Sequence, residues 1–414
     1  MAPRAQVAPA RKAAFDVLRR FDDGAYADRV LRSAASGLDE RDRALAQRLA
    51  FGAVQRVRTL DHAIEQLGRR RVHRLDPPVR AALRLGAYQL GFVDGVPRYA
   101  AVNESVELVR GAGLERAVAF TNAVLRRLAD GLGSLLDALP EETAAEAALK
   151  HSYPDWVSET WWRDLGPEGA RELMRALNEP AALTVRLVRG AIDGTPTDVP
   201  GAWEVERIDE VALAGGRIWP QSRSSQLAGL AVGARDGERT LDLCAAPGGK
   251  ATMLAGEVVA VDVNEARARE LEETVRRLGA TSVEVVVADG RALPSELDGF
   301  DHALVDAPCS GLGVLNRRPD LRWRAEPLAD LQLELLRAAA ERVNPRGTLV
   351  YSVCTINADE AEAVVDASGL EVDPTLGDEW PAYRHPTRPE FLLTLPHVHG
   401  TAGFFVARVR APGP

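Results

Sequence analysis

Over the first third of the chain, apolar residues recur at helical spacing. They run Ala14, Val17, Leu18, Phe21, then Leu45, Leu49, then Val102, Val106, Val109, then Val124, Leu125, Leu128. Strand-like alternation is nearly absent there, so residues 11 to about 130 predict a helical bundle, broken by Asp-Pro-Pro at 76–78 and Gly-Val-Pro at 95–97. From about residue 238 the pattern changes to short apolar runs at 240–244, 257–262, 283–287, 301–306, 347–353 and 403–409, which predict strands. Between them lie helical patterns near 249–255, 264–278, 328–343 and 359–366. Such alternation predicts a parallel sheet with helices on both faces. The intervening stretch holds a helical pattern from Gly166 to Asn178, an apolar run Leu183–Val188 and a Gly/Pro-rich piece at 189–201, and reads as a small α+β connector. The expected domains are a helical one at 1–138, the connector at 139–235 and an α/β domain at 236–414.

A chain of 414 residues exceeds one compact core, in keeping with several domains. The formal charge of -9 is unevenly spread: residues 1–130 carry 23 Arg and Lys against 15 Asp and Glu, which leaves the remainder strongly acidic. A basic module on an acidic body suits a polyanionic partner, while a solvated arginine-rich surface is the plainer alternative. Lysine occurs only at Lys12, Lys150 and Lys250, which reads as genome composition. The start, Met-Ala-Pro-Arg-Ala-Gln, has no apolar leader, and no run approaches the roughly 20 residues of a membrane span, so a soluble cytoplasmic protein without membrane association is expected. Three cysteines without a Cys-x-x-Cys pair suit neither a disulfide framework nor a zinc site, and free thiols are expected.

Each cysteine closes an apolar run, in Leu241-Asp242-Leu243-Cys244, Val305-Asp306-Ala307-Pro308-Cys309 and Tyr351-Ser352-Val353-Cys354. Because ligands of such sheets lie outside the carboxyl ends of the strands, all three thiols are expected around one cleft. The turn Cys244-Ala245-Ala246-Pro247-Gly248-Gly249-Lys250 leads from the first of these strands toward a helix. Its small residues admit a ligand to the backbone, and a helix N-terminus favours negative charge. It is no Walker loop, since Cys244 and Ala251 stand where glycine and Ser or Thr are required, and it does not spell Gly-x-Gly-x-x-Gly. Asp262 closes the second strand, where a carboxylate accepts from ribose hydroxyls; the structural alternative is a helix cap, a role open to Asn264. Asp289, after the third strand, is placed to reach an adenine amino group, with a plain Asp-Gly turn as the alternative. This order fits S-adenosylmethionine better than NAD, because no second mononucleotide-binding half follows.

The three motifs resemble those of the Nol1/Nop2/Sun family of RNA 5-methylcytosine methyltransferases. Leu83–Leu90, Ala101–Val106 and Thr121–Leu128 resemble the NusB-like RNA-binding domain. The resemblance implies a Rossmann-like class I methyltransferase domain, preceded by an all-α NusB-like bundle and the small α+β connector. It also implies S-adenosylmethionine as cofactor, held by residues 244–250 with Asp262, Arg267, Asp289 and Asp306, and a ribosomal RNA substrate, with the small subunit as its expected source. Motif chemistry alone leaves Cys309 and Cys354 ambiguous as nucleophiles, since a Pro-Cys thiol attacks in DNA cytosine methyltransferases. The resemblance assigns attack at carbon 6 of cytosine to Cys354, product release to Cys309, and the hold on the cytosine edge to Asp306. An unstacked cytosine is the expected target.

Arg317, Arg318, Arg322 and Arg324 follow Cys309 and suit flanking phosphates, with a solvated loop as the alternative; Trp323 either stacks on a base or anchors the loop. His397-Val-His399, read as alternating strand residues, form no recognisable metal set, and no metal is expected. A monomer is favoured. Ser222, Val188 and Ala402 depart from the family pattern, which usually has an acid, an asparagine and an aspartate at those places. The rival readings are a methyltransferase of transfer RNA or large-subunit RNA, and a non-catalytic RNA-binding assembly factor.

Overall fold

The computed structural model describes residues 7–413; the start Met1–Gln6, judged above for a leader, and Pro414 lie outside the described residues. Two compact units emerge, one up to Asn178 together with Leu315–Arg324, the other Glu179–Val314 with Ala325 onward.

The first unit is helical: α1 (Pro9–Asp22), α2 (Ala27–Ala34), α3 (Glu40–Gln55), α4 (Val57–Gly68), α5 (Pro77–Phe92), α6 (Arg98–Gly111), α7 (Glu115–Asp137), α8 (Ala144–His151) and α9 (Asp155–Ala176). The prolines read as breaks are helix starters. Pro77 occupies the first turn of α5 and Pro97 caps α6, positions where a missing N–H costs nothing. Asp39 caps α3 by accepting from the Asp42 N–H at 2.7 Å, and Thr143 with Glu146 forms a capping box on α8. Helix α9 is kinked at Gly166 (φ 71°, ψ 171°), just before Pro167, where the sequence pattern starts its helix. Leu18, Leu49, Leu60, Ile64, Leu83, Leu125 and Leu128 form the core, the face their helical spacing marks out.

The second unit holds two sheets. The smaller, ordered β2-β3-β1-β4, is antiparallel and consists of β1 (Thr184–Leu187), β2 (Thr195–Pro196), β3 (Ala202–Glu204) and β4 (Ile218–Pro220). Helices α10 (Glu210–Ala214) and α11 (Arg223–Leu230) flank β4 in sequence. The larger sheet contains β5 (Arg239–Leu243), β6 (Glu257–Asp262), β7 (Val283–Val287), β8 (Phe300–Asp306), β9 (Val343–Val353), β10 (Glu371–Val372), β11 (Leu392–Thr394) and β12 (Phe404–Arg410). Its order is β10-β12-β9-β8-β5-β6-β7, with β11 on β12. Strands β5 to β9 are parallel, but β12 runs antiparallel on β9, so the sheet is mixed where an all-parallel one was expected. Helices α12 (Glu265–Leu278), α13 (Ala329–Ala340) and α14 (Glu362–Ser368) lie between its strands in sequence.

The chain proceeds from β5 to β6 and β7 on one side, then to β8 and β9 on the other. That reversal puts the switch point of the sheet at the carboxyl ends of β5 and β8. The helix expected at 249–255 is a single 3₁₀ turn, Ala251–Met253. The distance along the chain explains it: β6 begins at Glu257, and the chain must first pass Gly256, where an added Cβ would sit 2.2 Å from the Glu238 carbonyl oxygen.

Candidate active site

The glycine turn opens with Cys244 in the left-handed region (φ 61°) and continues through Gly248 (φ 99°), where a Cβ would come within 2.5 Å of Leu271 Cδ1. A side chain there would be both strained and obstructed, which accounts for the glycine. Arg267 donates to the Ala246 carbonyl at 2.7 Å and lies 3.6 Å from Asp262, so α12 braces the turn. Asn264 caps α12, accepting from the N–H groups of Ala266 and Arg267, and this frees Asp262 from that role. Asp262 is buried; its Oδ1 accepts from the Asn264 N–H at 3.0 Å, and its Oδ2 has no hydrogen-bond partner. Such an orphaned oxygen fits a ligand hydroxyl. Asp289 is half-exposed and held by Arg291, whose bonds keep the carboxyl down at about 2. Burial, and the nearby Asp262, Asp306 and Asp242 charges, push the Cys244 thiol up to about 12, which makes it inert as a nucleophile.

Beyond the turn, side chains from the neighbouring strand ends come together. Asp306 ends β8, and its two oxygens accept from Lys250 Nζ at 2.6 Å and from Ser352 Oγ at 2.7 Å. Lys250 thus joins the glycine turn to the next strand end, with its ammonium 5.1 Å from the centre of the Phe404 ring. The Sγ atoms of Cys309 and Cys354 lie 3.4 Å apart, both half-buried. The contact splits their acidity: the bond from Cys309 lowers the Cys354 thiol, and the same bond, reinforced by burial, raises Cys309 well above the usual thiol range. Backbone packing closes the site, since Gly313 N–H donates to the Cys354 carbonyl at 3.0 Å and Gly403 N–H to the Gly313 carbonyl at 2.8 Å. An added Cβ at Gly313 would meet the Gly403 carbonyl oxygen at 2.0 Å, so Gly313 must be glycine.

The sulfur pair, Asp306 and Lys250 therefore stand together at adjacent strand ends. Ser352, Gly313, Gly403 and the fully buried Glu360 were not picked out in advance. Ser352 lies within the motif Tyr351-Ser352-Val353-Cys354, and Gly403 follows Ala402, which departs from the family pattern; Glu360 had no such signal.

The arginines after Cys309 are corrected by the structure. Arg322 is fully buried in the helical unit, where it donates to the carbonyls of Gln55 (3.0 Å) and Ser152 (3.1 Å), to Asn178 Oδ1 (2.8 Å) and to the Tyr153 hydroxyl (2.9 Å). Arg324 donates to the carbonyls of Gly24 and Ala25 at 2.8 and 2.7 Å, and Trp323 Nε1 to that of Val54 at 2.8 Å. These three side chains anchor the loop rather than meet phosphates or stack on bases. His397 and His399 lie on a helical turn, Pro396–His399, not a strand, and His399 Nδ1 accepts from the Leu395 N–H at 2.8 Å. Among the described residues no cluster of metal-ligating side chains occurs, and no helix is long and apolar enough to cross a membrane. Ser222, where an acid is usual, caps α11 by accepting from the Ser225 N–H at 3.2 Å.

An all-helical module joined to a class I methyltransferase sheet, with thiols at the strand ends, defines an RNA methyltransferase. Residues 230–410 match the family described as 16S rRNA methyltransferase RsmB/F, and residues 8–130 match the NusB family. The ribosomal RNA small subunit methyltransferase B of Thermus thermophilus is 40% identical over 86% of this chain and 86% of its own. The probable ribosomal RNA small subunit methyltransferase B of Synechocystis sp. is 33% identical over 97% of this chain and 99% of its own. The chain belongs to the RsmB/F family of ribosomal RNA methyltransferases. In fold it is similar to the crystal structure of PH0851, with a TM-score of 0.79 at 22% identity over 98% of this chain and 100% of that one.

Proposed function

We propose that this chain methylates carbon 5 of a cytosine in small-subunit ribosomal RNA, with S-adenosylmethionine as donor and a covalent adduct on Cys354. The observation that carries the reading is the 3.4 Å contact between Cys309 and Cys354 beside the Asp306–Lys250 pair. Asp262 Oδ2, which accepts no hydrogen bond and faces Arg267 at 3.6 Å, fits a ribose hydroxyl. Residues 244–250 and Arg267 frame the rest of the cofactor, and Asp289 keeps acceptor capacity beyond Arg291 for an adenine amino group. When bound, S-adenosylmethionine supplies an electrophilic methyl group on a sulfonium sulfur.

Carbon 5 of cytosine is a poor nucleophile until a thiolate adds at carbon 6. Cys354, its proton lost to solvent, adds as the thiolate and makes that bond; the ring's carbon 5–carbon 6 electron pair moves toward nitrogen 3, leaving an enamine. Asp306, held by Lys250 and Ser352, accepts a hydrogen bond from the exocyclic amine and so fixes the cytosine edge. Carbon 5 then takes the methyl group; its proton passes to the Cys309 sulfur as that thiol's own proton moves to Cys354, and the electrons of the carbon 5–hydrogen bond expel the Cys354 sulfur. Cys309 serves this last step by returning a proton to the leaving thiolate. Because Cys244 is held protonated, it takes no part in attack.

Bisulfite sequencing of ribosomal RNA, incubated with purified protein and methyl donor, tests reaction and address together. One newly protected cytosine in small-subunit RNA is expected; protection confined to transfer RNA or large-subunit RNA, or absent altogether, overturns the proposal.

A further inference from the structure

Glu360 lies six residues after Cys354 with no exposed surface, and the chemistry described above gives it no part. Its Oε1 accepts from the backbone N–H groups of Ser310 and Leu328 and from Gln332 Nε2, each at 3.0 Å. Its Oε2 accepts from Asn357 Nδ2 at 3.2 Å and from the Ser310 hydroxyl. That hydroxyl also meets Thr355 Oγ1 at 2.8 Å. Ser310 follows Cys309 and Thr355 follows Cys354, so the carboxylate holds the Cys309 loop directly and reaches the residue next to Cys354 through the Ser310 hydroxyl.

Resting on the proposed roles of the two thiols, we infer that Glu360 is a positioning residue that clamps the Cys309 and Cys354 loops and so maintains contact between their sulfurs. The donor set supports a carboxylate here over any neutral side chain. Five donors and no acceptor converge on it, and an ionised carboxylate is the side chain that only accepts. A glutamine would turn its NH₂ group against at least one of these donors, and a buried clash of that kind costs a full desolvation penalty.

The placement also biases charge between the sulfurs. Glu360 and the Tyr351 phenol approach from the Cys309 side, and Lys250 and Asp306 from the Cys354 side. The Cys309 thiol is raised first by its bond to Cys354, then by burial and the Cys354 and Glu360 charges. A thiolate is therefore unwelcome at Cys309, and the nucleophile forms at Cys354.

The test uses the full chain, without RNA or methyl donor. Limiting iodoacetamide is applied between about pH 6 and pH 9, and the ratio of alkylation at Cys354 to that at Cys309 is read by peptide mass spectrometry. The native protein is expected to favour Cys354. Glu360→Gln should reduce that ratio by about tenfold, the equivalent of one unit of relative acidity, while Glu360→Asp, which keeps the charge, should retain most of it. Should Glu360→Gln fail to fold by thermal unfolding, Ser310→Ala, which removes the bridging hydroxyl, should lower the ratio in the same direction. An unchanged ratio in the folded variant overturns the inference. If the ratio falls while the native protein methylates no cytosine, the clamp stands and the proposed function does not.

Discussion

The helical unit and the sheet unit both bury charge, and they treat it differently. In the helical unit Arg84 directs Nε and Nη2 at the two oxygens of Asp61 and Nη1 at Asp22, each at 2.7 Å, and Arg80 reaches Asp22 as well. Donors and acceptors match there, and the cluster needs nothing from outside. At the strand ends of the sheet unit, both oxygens of buried Asp242 and one of buried Asp262 lack hydrogen-bond partners. Burial together with the Asp306 charge pushes the Asp242 carboxyl well above the usual carboxylate range. Beside them the Cys309 and Cys354 sulfurs are in contact at 3.4 Å. The Arg84 cluster is matched within itself, whereas the unmatched acceptors at the strand ends, beside the two thiols, fit a place where a ligand completes the set; Asp320, buried in the helical unit with neither oxygen hydrogen-bonded, shows that unmatched charge alone does not mark one.

Loss of a reacting group should break that contrast most severely. Cys354→Ala is expected to abolish methyl transfer, by about 10³-fold or more, and to form no adduct. Cys309→Ala should instead accumulate covalent protein–RNA adduct, visible as a shifted band on a denaturing gel; adduct from the first variant and none from the second would exchange the two roles. On the structural side, Arg84→Ala leaves Asp61 and Asp22 buried without their main partner and should cost about 3–5 kcal/mol in denaturant unfolding. A loss below about 1 kcal/mol would place that cluster among ordinary surface ion pairs.

Much of this arrangement was legible in the sequence, and for physical reasons. Helical spacing in residues 11–130 and short apolar runs after 238 report which face is buried, and burial decides the element. The cysteines could be placed because each ends a strand, and parallel strands bring their ends together however far apart they are in the chain. Arg322 and Arg324 were misplaced because a sequence shows charge and not its acceptors, here carbonyls at Gln55, Ser152, Gly24 and Ala25, more than a hundred residues away. Glu360 was invisible for the same reason, since its donors come from Ser310, Leu328, Gln332 and Asn357. The antiparallel seat of β12 on β9 was hidden because an apolar run carries no direction.

Acid sharpens the contrast by a smaller amount. Burial alone would raise the Glu141 carboxyl, but hydrogen bonds from His151, Arg175 and Lys150 hold it at about 2, against an ordinary 4.5. A group depressed on folding adds stability above its unfolded value and loses it as pH falls through the folded one. The Glu141 contribution, about 3 kcal/mol at most, should therefore be intact above about pH 4.5 and vanish toward about pH 2. Glu141→Gln should flatten that part of the unfolding profile; an unchanged slope between native and variant would show that the pairing is not worth what its geometry suggests.

The smallest effect concerns a departure from the family. Ser222 stands where an acid is usual, yet its hydroxyl accepts from the Ser225 N–H at 3.2 Å and caps α11. Serine and aspartate satisfy the same orphan donor at a helix start about equally, so the substitution need not have cost the helix anything. Ser222→Ala removes the acceptor and should lower stability by about 1 kcal/mol, seen as a shift in denaturant midpoint without a change in slope. Ser222→Asp should fall within about 0.5 kcal/mol of the native chain, since charge at a helix start adds only modestly to the bond itself. If aspartate instead raised methyl transfer while leaving stability unchanged, the acid would have a role beyond the cap, and this position would move from the matched kind of site to the incompletely matched kind.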